Sequence, residues 1–274
     1  MPASPCPYLW LNNDLFPADS PTITAQDRGL LLGDGLFETM QLRNGQIPFL
    51  AAHLTRLEEG CRILHLPPPK RDIIQTALGR LIAANGLTDG SARLTLTRGP
   101  GPRGLAPPAT PHTTLLITTA PPPNHAPHPV RLHISTQRRD RQAVLNRVKS
   151  ISALPAILAR MEAQELGADD ALWLTHEGEI AEATAASFLA LMDDGQIITP
   201  PLSAGILPGI SRARLLSATL CTDRPLLEAD IPQFRGAWLV TALSLTPVTA
   251  IGAHKLPLQP EQTARLSHFL YDTP

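Results

Sequence analysis

The sequence has few cysteines, no excess of either charge and no long apolar run. Its 274 residues include three cysteines, Cys6, Cys61 and Cys221, an odd number with spacings that fit neither a zinc site nor a disulfide framework. A formal net charge of −1 gives no electrostatic reason to bind nucleic acid or an anionic membrane. No signal peptide is recognisable at the start, and no apolar run approaches the roughly 20 residues that span a bilayer. These absences predict a soluble, cytoplasmic protein without nucleic-acid or membrane partners.

Lysine is also scarce, because Lys70, Lys149 and Lys255 stand against twenty arginines. Lys149 lies in an apolar neighbourhood just ahead of the apolar-periodic segment 154–166. Unlike a guanidinium, a lysine amine can lose its proton and attack a carbonyl group. A lysine whose stem packs while its charge reaches water is the commoner explanation of such spacing. The spacing alone therefore leaves a structural and a chemical role open for Lys149.

The chain is long enough for two domains, and strands and helices are mixed along it. Several predicted hairpins indicate sheets that are not purely parallel, so we expect an α/β fold with mixed sheets. The proline-rich stretch 120–129 predicts a stiff connector between an N-terminal α/β domain, residues 1–119, and a C-terminal α/β domain, residues 130–274.

Turn and cap residues give local predictions that the structure can test. Asn44-Gly45 favours a hairpin between strands 37–42 and 47–50. Apolar periodicity predicts one helix over 50–64 and a second over 72–84, with Asp72 as the N-cap of the second.

Three further segments could carry chemistry, although each also has an ordinary structural explanation. The loop Leu207-Pro208-Gly209-Ile210-Ser211 leads into a helix, where free backbone N–H groups could bind a phosphate or Ser211 could simply cap the helix. Arg56 could contact that phosphate or lie on a solvated helix face. Glu182, among alanines, either faces water or meets a buried cation. No metal-ligand spacing, Gly-x-Ser-x-Gly elbow or P-loop is present in the sequence.

In order along the chain, these motifs resemble those of the fold-type IV (class IV) pyridoxal-phosphate enzymes, which include D-amino-acid and branched-chain aminotransferases and aminodeoxychorismate lyase. Asp27-Arg28-Gly29 and Gly33-Asp34-Gly35-Leu36-Phe37-Glu38 are similar to the family's early signature, and His53-Leu54-Thr55-Arg56-Leu57 resembles its H-x-x-R-L helix. The segment 182–188 is similar to E-x-x-x-x-N, with Ser187 where asparagine is common. The segment 207–212 resembles L-P-G-I-T-R, with serine for threonine.

The resemblance implies pyridoxal 5′-phosphate as cofactor, bound by the C-terminal domain, and a homodimer. It implies that Lys149 is the Schiff-base lysine and general acid/base, and that Glu182 contacts the pyridine nitrogen. The other cofactor-binding positions that it implies are Arg56, Ala186, Ser187, Leu207, Gly209, Ile210, Ser211 and Thr241.

The loop Arg98-Gly99-Pro100-Gly101-Pro102-Arg103-Gly104 resembles the R-G-x-G-x-R-G-Y loop of aminodeoxychorismate lyases, with Leu105 replacing tyrosine. Arginines suit carboxylates, so the resemblance implies a small-molecule amine substrate that contacts Arg98, Arg103 and Phe37. The favoured activity is 4-amino-4-deoxychorismate lyase, which forms 4-aminobenzoate and pyruvate for folate synthesis. Transamination of D-amino acids is the main alternative, weakened by Phe37 where those enzymes tend to have tyrosine. Branched-chain transamination and a catalytically idle scaffold rank lower.

Overall fold

The computed structural model describes residues 6–20, 22–123 and 128–272. Residues 124–127 of the predicted connector fall outside these ranges. By contacts the chain divides into two compact units, Met1–Ala126 with Val148–Ala153, and Pro127–Arg147 with Leu154–Pro274. Both units mix helices with strands, which confirms the predicted α/β class.

The first unit is built on an antiparallel sheet with the order β2-β1-β5-β4-β3. Its elements are β1 (Tyr8–Leu11), β2 (Asp14–Pro17), α1 (Arg28–Leu32), β3 (Gly35–Leu42), α2 (Leu50–Leu64), α3 (Arg71–Asn85), β4 (Gly90–Thr97) and β5 (Thr114–Ala120). The apolar stripes of α2 and α3 pack against one face of this sheet, and the buried members include Leu54, Leu57, Ile74, Leu81, Met40, Leu94 and Ile117. The same face is apolar on alternate strand residues, because successive side chains of a strand point to opposite sides.

A short extended segment, Val148–Ala153, joins this first sheet beside β3. The Phe37 N–H donates to the Lys149 carbonyl at 2.8 Å, and the Ile151 N–H donates to the Gly35 carbonyl at 3.1 Å. Val148 is buried in the core of the first unit. Since side chains alternate along an extended chain, Lys149 projects on the opposite side.

The second unit contains a mixed sheet with the order β11-β10-β9-β12-β13-β6-β7-β8, and β14 pairs with β13. Its strands are β6 (Val130–Arg139), β7 (Asp170–Thr175), β8 (Ile180–Ala183), β9 (Ser187–Leu191), β10 (Ile197–Thr199), β11 (Thr222–Asp223), β12 (Gly236–Val240), β13 (Leu245–Ile251) and β14 (His254–Lys255). The α-helices are α4 (Leu154–Glu165), α5 (Ile210–Ser217) and α6 (Pro260–Ser267). Short 3₁₀-helices occupy Val144–Arg147, Leu202–Ala204 and Glu228–Gln233, and a π-helical turn occupies His268–Asp272.

Two local predictions are wrong. Asn44-Gly45 does form a tight turn, closed by the Arg43–Gln46 bridge, but the chain then enters α2 at Leu50 instead of a second strand. Strand β3 pairs along its whole length with β4, about fifty residues further on. The N-cap of α3 is Lys70, and Asp72 lies in the first turn, where its carboxylate accepts the Ile73 N–H. A turn signal fixes the bend of the chain, whereas the partner of a strand depends on distant residues.

A single carboxylate of helix α4, that of Glu162, holds a bulge of β6 in place. Glu162 accepts hydrogen bonds from the Ser135 hydroxyl at 2.8 Å and the Thr136 N–H at 3.0 Å, and it lies 3.3 Å from His133 Nε2. The register of β6 against β7 shifts between Ile134 and Arg138, so these bonds hold the bulged residues. Burial alone would raise the pKa of Glu162, but the hydrogen bonds from Thr136, Ser135 and His133 lower it to about 2.

We expect Glu162→Gln to lower the free energy of unfolding by about 1–3 kcal/mol at pH 7, measured by urea denaturation. The folded-state pKa lies below the unfolded value, so the ionised carboxylate stabilises the fold above about pH 4.5, and this contribution is lost as the pH falls towards 2. The difference between variant and wild type should therefore shrink from pH 5 to pH 3. Glu165→Gln, on an exposed position of the same helix, is the control and should change little. A difference independent of pH would contradict this account of Glu162.

Candidate active site

Lys149 lies half-buried beside β3, held by backbone bonds at its own carbonyl and at the Ile151 N–H. Its Nζ atom is 4.3 Å from the centroid of the Phe37 ring, within the range of a cation–π contact. The sequence assigned Lys149 to the C-terminal domain, whereas the structure places it with the first unit. The Lys149 amine and the Phe37 ring thus lie on the same side of the first sheet.

Arg56 is held by a buried carboxylate that the sequence analysis left without a role. Glu38, 1% exposed, accepts the Arg56 Nε and Nη2 protons at 2.8 and 2.6 Å. The buried His53 ring lies 2.7 Å from the same carboxylate. Burial raises the pKa of Glu38, but the hydrogen bonds with His53 and Arg56 outweigh it and lower that pKa. The sequence did contain a signal for this triad. Glu38 ends the early signature, His53 and Arg56 form the H-x-x-R spacing, and all three are polar residues among core positions. Phosphate binding by Arg56 stays a prediction.

Arg98 makes structural contacts within the first unit. It is 7% exposed, and its guanidinium donates to Asp34 at 2.7 and 3.0 Å and to the carbonyls of Leu64 and His65 at the end of α2. Asp34 also pairs with Arg28. Burial raises the pKa of Asp34, yet the two guanidinium groups lower it overall. These contacts account for the burial of Arg98, and its predicted contact with substrate stays a prediction.

Arg103 lies exposed on the loop that follows β4. Arg28 anchors this loop, because its guanidinium donates to the carbonyls of Gly104, Leu105 and Ala106 at 3.1, 2.8 and 3.2 Å. A side chain at Gly101 would meet the Arg28 stem at 2.8 Å, so the loop packs closely on Arg28. Arg103 therefore lies on a loop whose backbone is held by Arg28.

Glu182 lies on β8 in the second unit, 6% exposed. It forms an ion pair with Arg139 and accepts the Leu207 N–H at 3.2 and 3.3 Å. The sequence left open whether Glu182 faces water or meets a buried cation. In the structure it meets a cation. Burial lowers the pKa of Arg139, and the neighbouring Glu182 carboxylate acts in the opposite direction.

Arg139 was not among the residues predicted from the sequence. It follows the bulge of β6 and stacks on the Trp173 ring at 4.4 Å from the centroid. Its partner Glu182 is 43 residues away, so no local pattern links the two. The only signal was a basic run at the end of a predicted strand.

The start of helix α5 has the features of an anion site. The N-cap is Gly209, not Ser211, and no side chain caps the helix. Among the residues that the structure describes, the N–H groups of Ile210 and Ser211 have no acceptor. The Ser211 hydroxyl donates to the Thr241 carbonyl at 2.7 Å, which brings the two predicted phosphate contacts together. Unsatisfied N–H groups at a helix start fit a phosphate.

Two further predicted positions lie beside the start of helix α5. Ser187 is buried on β9, and a Cβ atom at Gly209 would come within 2.7 Å of its hydroxyl oxygen. A residue larger than glycine would therefore collide with Ser187. Ala186 ends the turn between β8 and β9, where its carbonyl accepts the Ala183 N–H. The structure thus places Glu182, Ala186, Ser187, Leu207, Gly209, Ile210, Ser211 and Thr241 in one unit.

Neither a metal centre nor a membrane span is found in the part of the chain that the structure describes. No group of three or more histidine, cysteine, aspartate or glutamate residues there could hold a metal ion. No helix there is long and apolar enough to cross a bilayer.

The first unit contains an amine on an anchored segment, and the second unit contains the buried Glu182–Arg139 pair and unsatisfied N–H groups at the start of α5. The model of the amino-transferase class IV family matches residues 35–251, and the chain belongs to this family, whose enzymes depend on pyridoxal 5′-phosphate. The fold is the fold-type IV architecture of this family.

Three relatives illustrate the range of the family. A Methanocaldococcus jannaschii protein assigned as a branched-chain-amino-acid aminotransferase is 32% identical over 74% of this chain and 72% of its own. The bifunctional aminodeoxychorismate lyase / D-amino acid transaminase of Mycobacterium tuberculosis is 26% identical over 91% of this chain and 93% of its own. The structure of a protein assigned as 4-amino-4-deoxychorismate lyase from Legionella pneumophila is 29% identical, with a TM-score of 0.86 over 93% of this chain and 96% of its own.

Proposed function

We propose that this chain is a 4-amino-4-deoxychorismate lyase, which forms 4-aminobenzoate and pyruvate for folate synthesis. The observation that carries an enzymatic role is the placement of Lys149, whose amine is fixed beside Phe37 by the backbone bonds of its segment. The choice of lyase is supported by the similarity to the Legionella pneumophila structure and by Phe37, which lacks the hydroxyl of the tyrosine in D-amino-acid aminotransferases.

Lys149 would hold the cofactor covalently and then move the proton of the reacting carbon. Bound pyridoxal phosphate supplies an electron sink for the carbanion that forms there. The lysine suits both tasks because its amine can be a nucleophile and a base once deprotonated. Its proton shuttle would remove the proton next to the substrate nitrogen before pyruvate leaves.

Glu182 would face the pyridine nitrogen and hold a proton on it. Its carboxylate is oriented by the Arg139 guanidinium and by the Leu207 N–H. A carboxylate in that position would stabilise a positive charge at a ring nitrogen.

The phosphate would be bound by Arg56, by the Ile210 and Ser211 N–H groups, by Thr241, and by the Ser211 hydroxyl once its proton turns from the Thr241 carbonyl to the phosphate. The bidentate Glu38 pair holds one edge of the Arg56 guanidinium, so the side chain is oriented before any ligand arrives. Pre-oriented contacts of this kind fix a cofactor with little loss of entropy.

A D-amino-acid aminotransferase is the second candidate. The Mycobacterium tuberculosis relative, which matches nearly the whole chain, carries both activities in its name. The two reactions share the proton removal and differ in the fate of the carbanion. Branched-chain transamination ranks third, on the similarity to the Methanocaldococcus jannaschii protein.

The assay that tests the proposal supplies 4-amino-4-deoxychorismate to the purified holoprotein and measures 4-aminobenzoate and pyruvate. The lyase should form both products in equal amounts without an amino acceptor. Parallel reactions with D-alanine or leucine and 2-oxoglutarate measure transamination. Turnover of an amino acid without formation of 4-aminobenzoate would contradict the lyase and favour an aminotransferase.

We also propose that the enzyme is a homodimer that acts in the cytoplasm. Helix α4 buries Ala159 and Ala163 against the second sheet, while Leu154, Ile157, Leu158 and Met161 are 46–63% exposed on its other side. Four apolar residues at helical spacing form a surface that a second copy could cover. A solution mass equal to a single chain would contradict the dimer.

A further inference from the structure

Tyr271 brings a phenol hydroxyl to the proposed phosphate site at the start of α5. It lies in the π-helical turn His268–Asp272, which follows α6. Leu270 of this turn is buried in one apolar cluster with Trp238 of β12 and Leu215 of α5. The Tyr271 ring packs against the same cluster. Burial of apolar side chains therefore holds the turn against the second sheet and helix α5.

Arg214 joins the turn to helix α5. Its guanidinium donates to the carbonyls of Leu270 and Phe269 at 2.7 and 3.0 Å. Its Cζ atom also lies 5.2 Å from the centroid of the Phe269 ring. Three residues earlier, the same helix carries Ser211 at the proposed phosphate site. The charge-assisted bonds of Arg214 thus fix the position of Tyr271 relative to Ser211.

The hydroxyls of Tyr271 and Ser211 share one acceptor. The Tyr271 hydroxyl donates to the Thr241 carbonyl at 3.0 Å, and the Ser211 hydroxyl donates to the same carbonyl at 2.7 Å. A carbonyl oxygen has two lone pairs and can accept both bonds. When the Ser211 hydroxyl rotates towards a phosphate, the carbonyl keeps the bond from Tyr271. This rotation then costs less free energy, because the carbonyl is not left without a donor.

Burial keeps the Tyr271 hydroxyl in its protonated form. It raises the pKa of Tyr271, although the Arg214 charge and a hydrogen bond with Ser211 act in the opposite direction. The phenol therefore holds its proton at neutral pH, and it can donate to the Thr241 carbonyl with or without a bound phosphate. A phenolate could not donate and would repel the phosphate charge.

We propose that Tyr271 is a positioning residue of the phosphate site. It would hold the Thr241 carbonyl, so that the Ser211 hydroxyl is free to donate to the phosphate group of the cofactor. The effect of Tyr271 on the phosphate would thus pass through Ser211. The inference rests on the phosphate site of the proposed function. It applies equally to a lyase and to an aminotransferase, since both bind the same cofactor.

The test measures binding of pyridoxamine 5′-phosphate to the whole chain, freed of cofactor, by calorimetry. Pyridoxamine, which has a hydroxyl in place of the phosphate, is the matched probe. Neither ligand carries an aldehyde that a lysine amine could attack, so both affinities report non-covalent contacts. We expect Tyr271→Phe, which removes only the hydroxyl, to weaken binding of pyridoxamine 5′-phosphate by about 3- to 10-fold. Binding of pyridoxamine should not change.

A double-mutant cycle shows whether Tyr271 acts through Ser211. Ser211→Ala removes the hydroxyl that would donate to the phosphate, and it should weaken binding of pyridoxamine 5′-phosphate by about 10-fold. Tyr271→Phe added to Ser211→Ala should weaken binding little further, because the group through which Tyr271 acts is already gone. A tyrosine that only supports the fold would add its own loss to that of Ser211→Ala.

The other tyrosine of the chain serves as the control. Tyr8 is exposed in the first unit, and Tyr8→Phe should leave both affinities unchanged. The unfolding temperature of Tyr271→Phe should stay close to that of wild type. The aromatic ring remains in place, and the bonds of Arg214 to the turn use backbone carbonyls.

Equal losses of affinity for pyridoxamine 5′-phosphate and pyridoxamine in Tyr271→Phe would overturn the inference, as would a double variant in which the two losses add. The proposed function fails separately. If the holoprotein forms no 4-aminobenzoate but the phosphate affinity depends on Tyr271 through Ser211, the lyase falls and the role of Tyr271 stands. If 4-aminobenzoate forms and Tyr271→Phe binds pyridoxamine 5′-phosphate as wild type does, only the role of Tyr271 falls.

Discussion

Lys149→Ala should abolish turnover, with a loss of more than about 10³-fold, since it would remove the proposed covalent anchor and general acid/base together. The variant should also lose cofactor attachment that borohydride can trap. Two measurements check this result: the rate of product formation, and the mass of the peptide that carries the reduced cofactor. The fold should persist, because the Phe37 and Ile151 hydrogen bonds of the segment use backbone atoms.

The scarcity of lysine supplies matched controls. Lys70 and Lys255 are both exposed, so Lys70→Ala and Lys255→Ala should keep turnover and trapping at the level of wild type. Trapped cofactor in Lys149→Ala, or a labelled peptide that contains Lys70 or Lys255, would contradict the assignment of Lys149.

The sequence predicted individual elements well where the signal was local. Helix α2 was predicted over the same residues that the structure shows, because its apolar periodicity and the following prolines are both local. The hairpin after Asn44-Gly45 failed for the opposite reason. The turn is local, but β3 finds its partner in β4.

The same distinction applies to the candidate site. Motif order identified Glu182 and the loop before α5, and the structure shows a buried carboxylate and unsatisfied N–H groups there. It could not reveal Arg139, which reaches Glu182 from a different strand after a bulge. Nor could it show that Arg98 is held by Asp34 and by carbonyls at the end of α2. These are properties of packing between distant segments.

Placement of Lys149 illustrates the limit most clearly. The sequence places it after the connector, so assigning it to the C-terminal domain was natural. Val148, however, is buried in the first core, and the backbone of Lys149 bonds to β3. The six-residue segment Val148–Ala153 leaves no mark in composition or periodicity, because only Val148 of it is buried and only two backbone hydrogen bonds join it to β3.

Glu182→Gln should lower kcat by about 10²- to 10³-fold, because glutamine keeps the shape of the side chain and loses the charge proposed to hold a proton on the pyridine nitrogen. The variant should also be less stable by up to about 3–5 kcal/mol, since Arg139 keeps its charge in a largely buried position without its partner. Kinetics and urea denaturation measure the two effects separately. Glu177→Gln, half-exposed in the turn before β8, is the control and should change neither.

A second substitution separates the chemical role of Glu182 from its structural role. In Glu182→Gln with Arg139→Met, the uncompensated charge is gone and the methionine stem still packs on Trp173, so stability should return towards wild type. Turnover should stay low, because the carboxylate proposed to face the pyridine nitrogen is still missing. If the double variant recovers turnover together with stability, Glu182 acts only by supporting the fold, and its assigned contact with the cofactor is wrong.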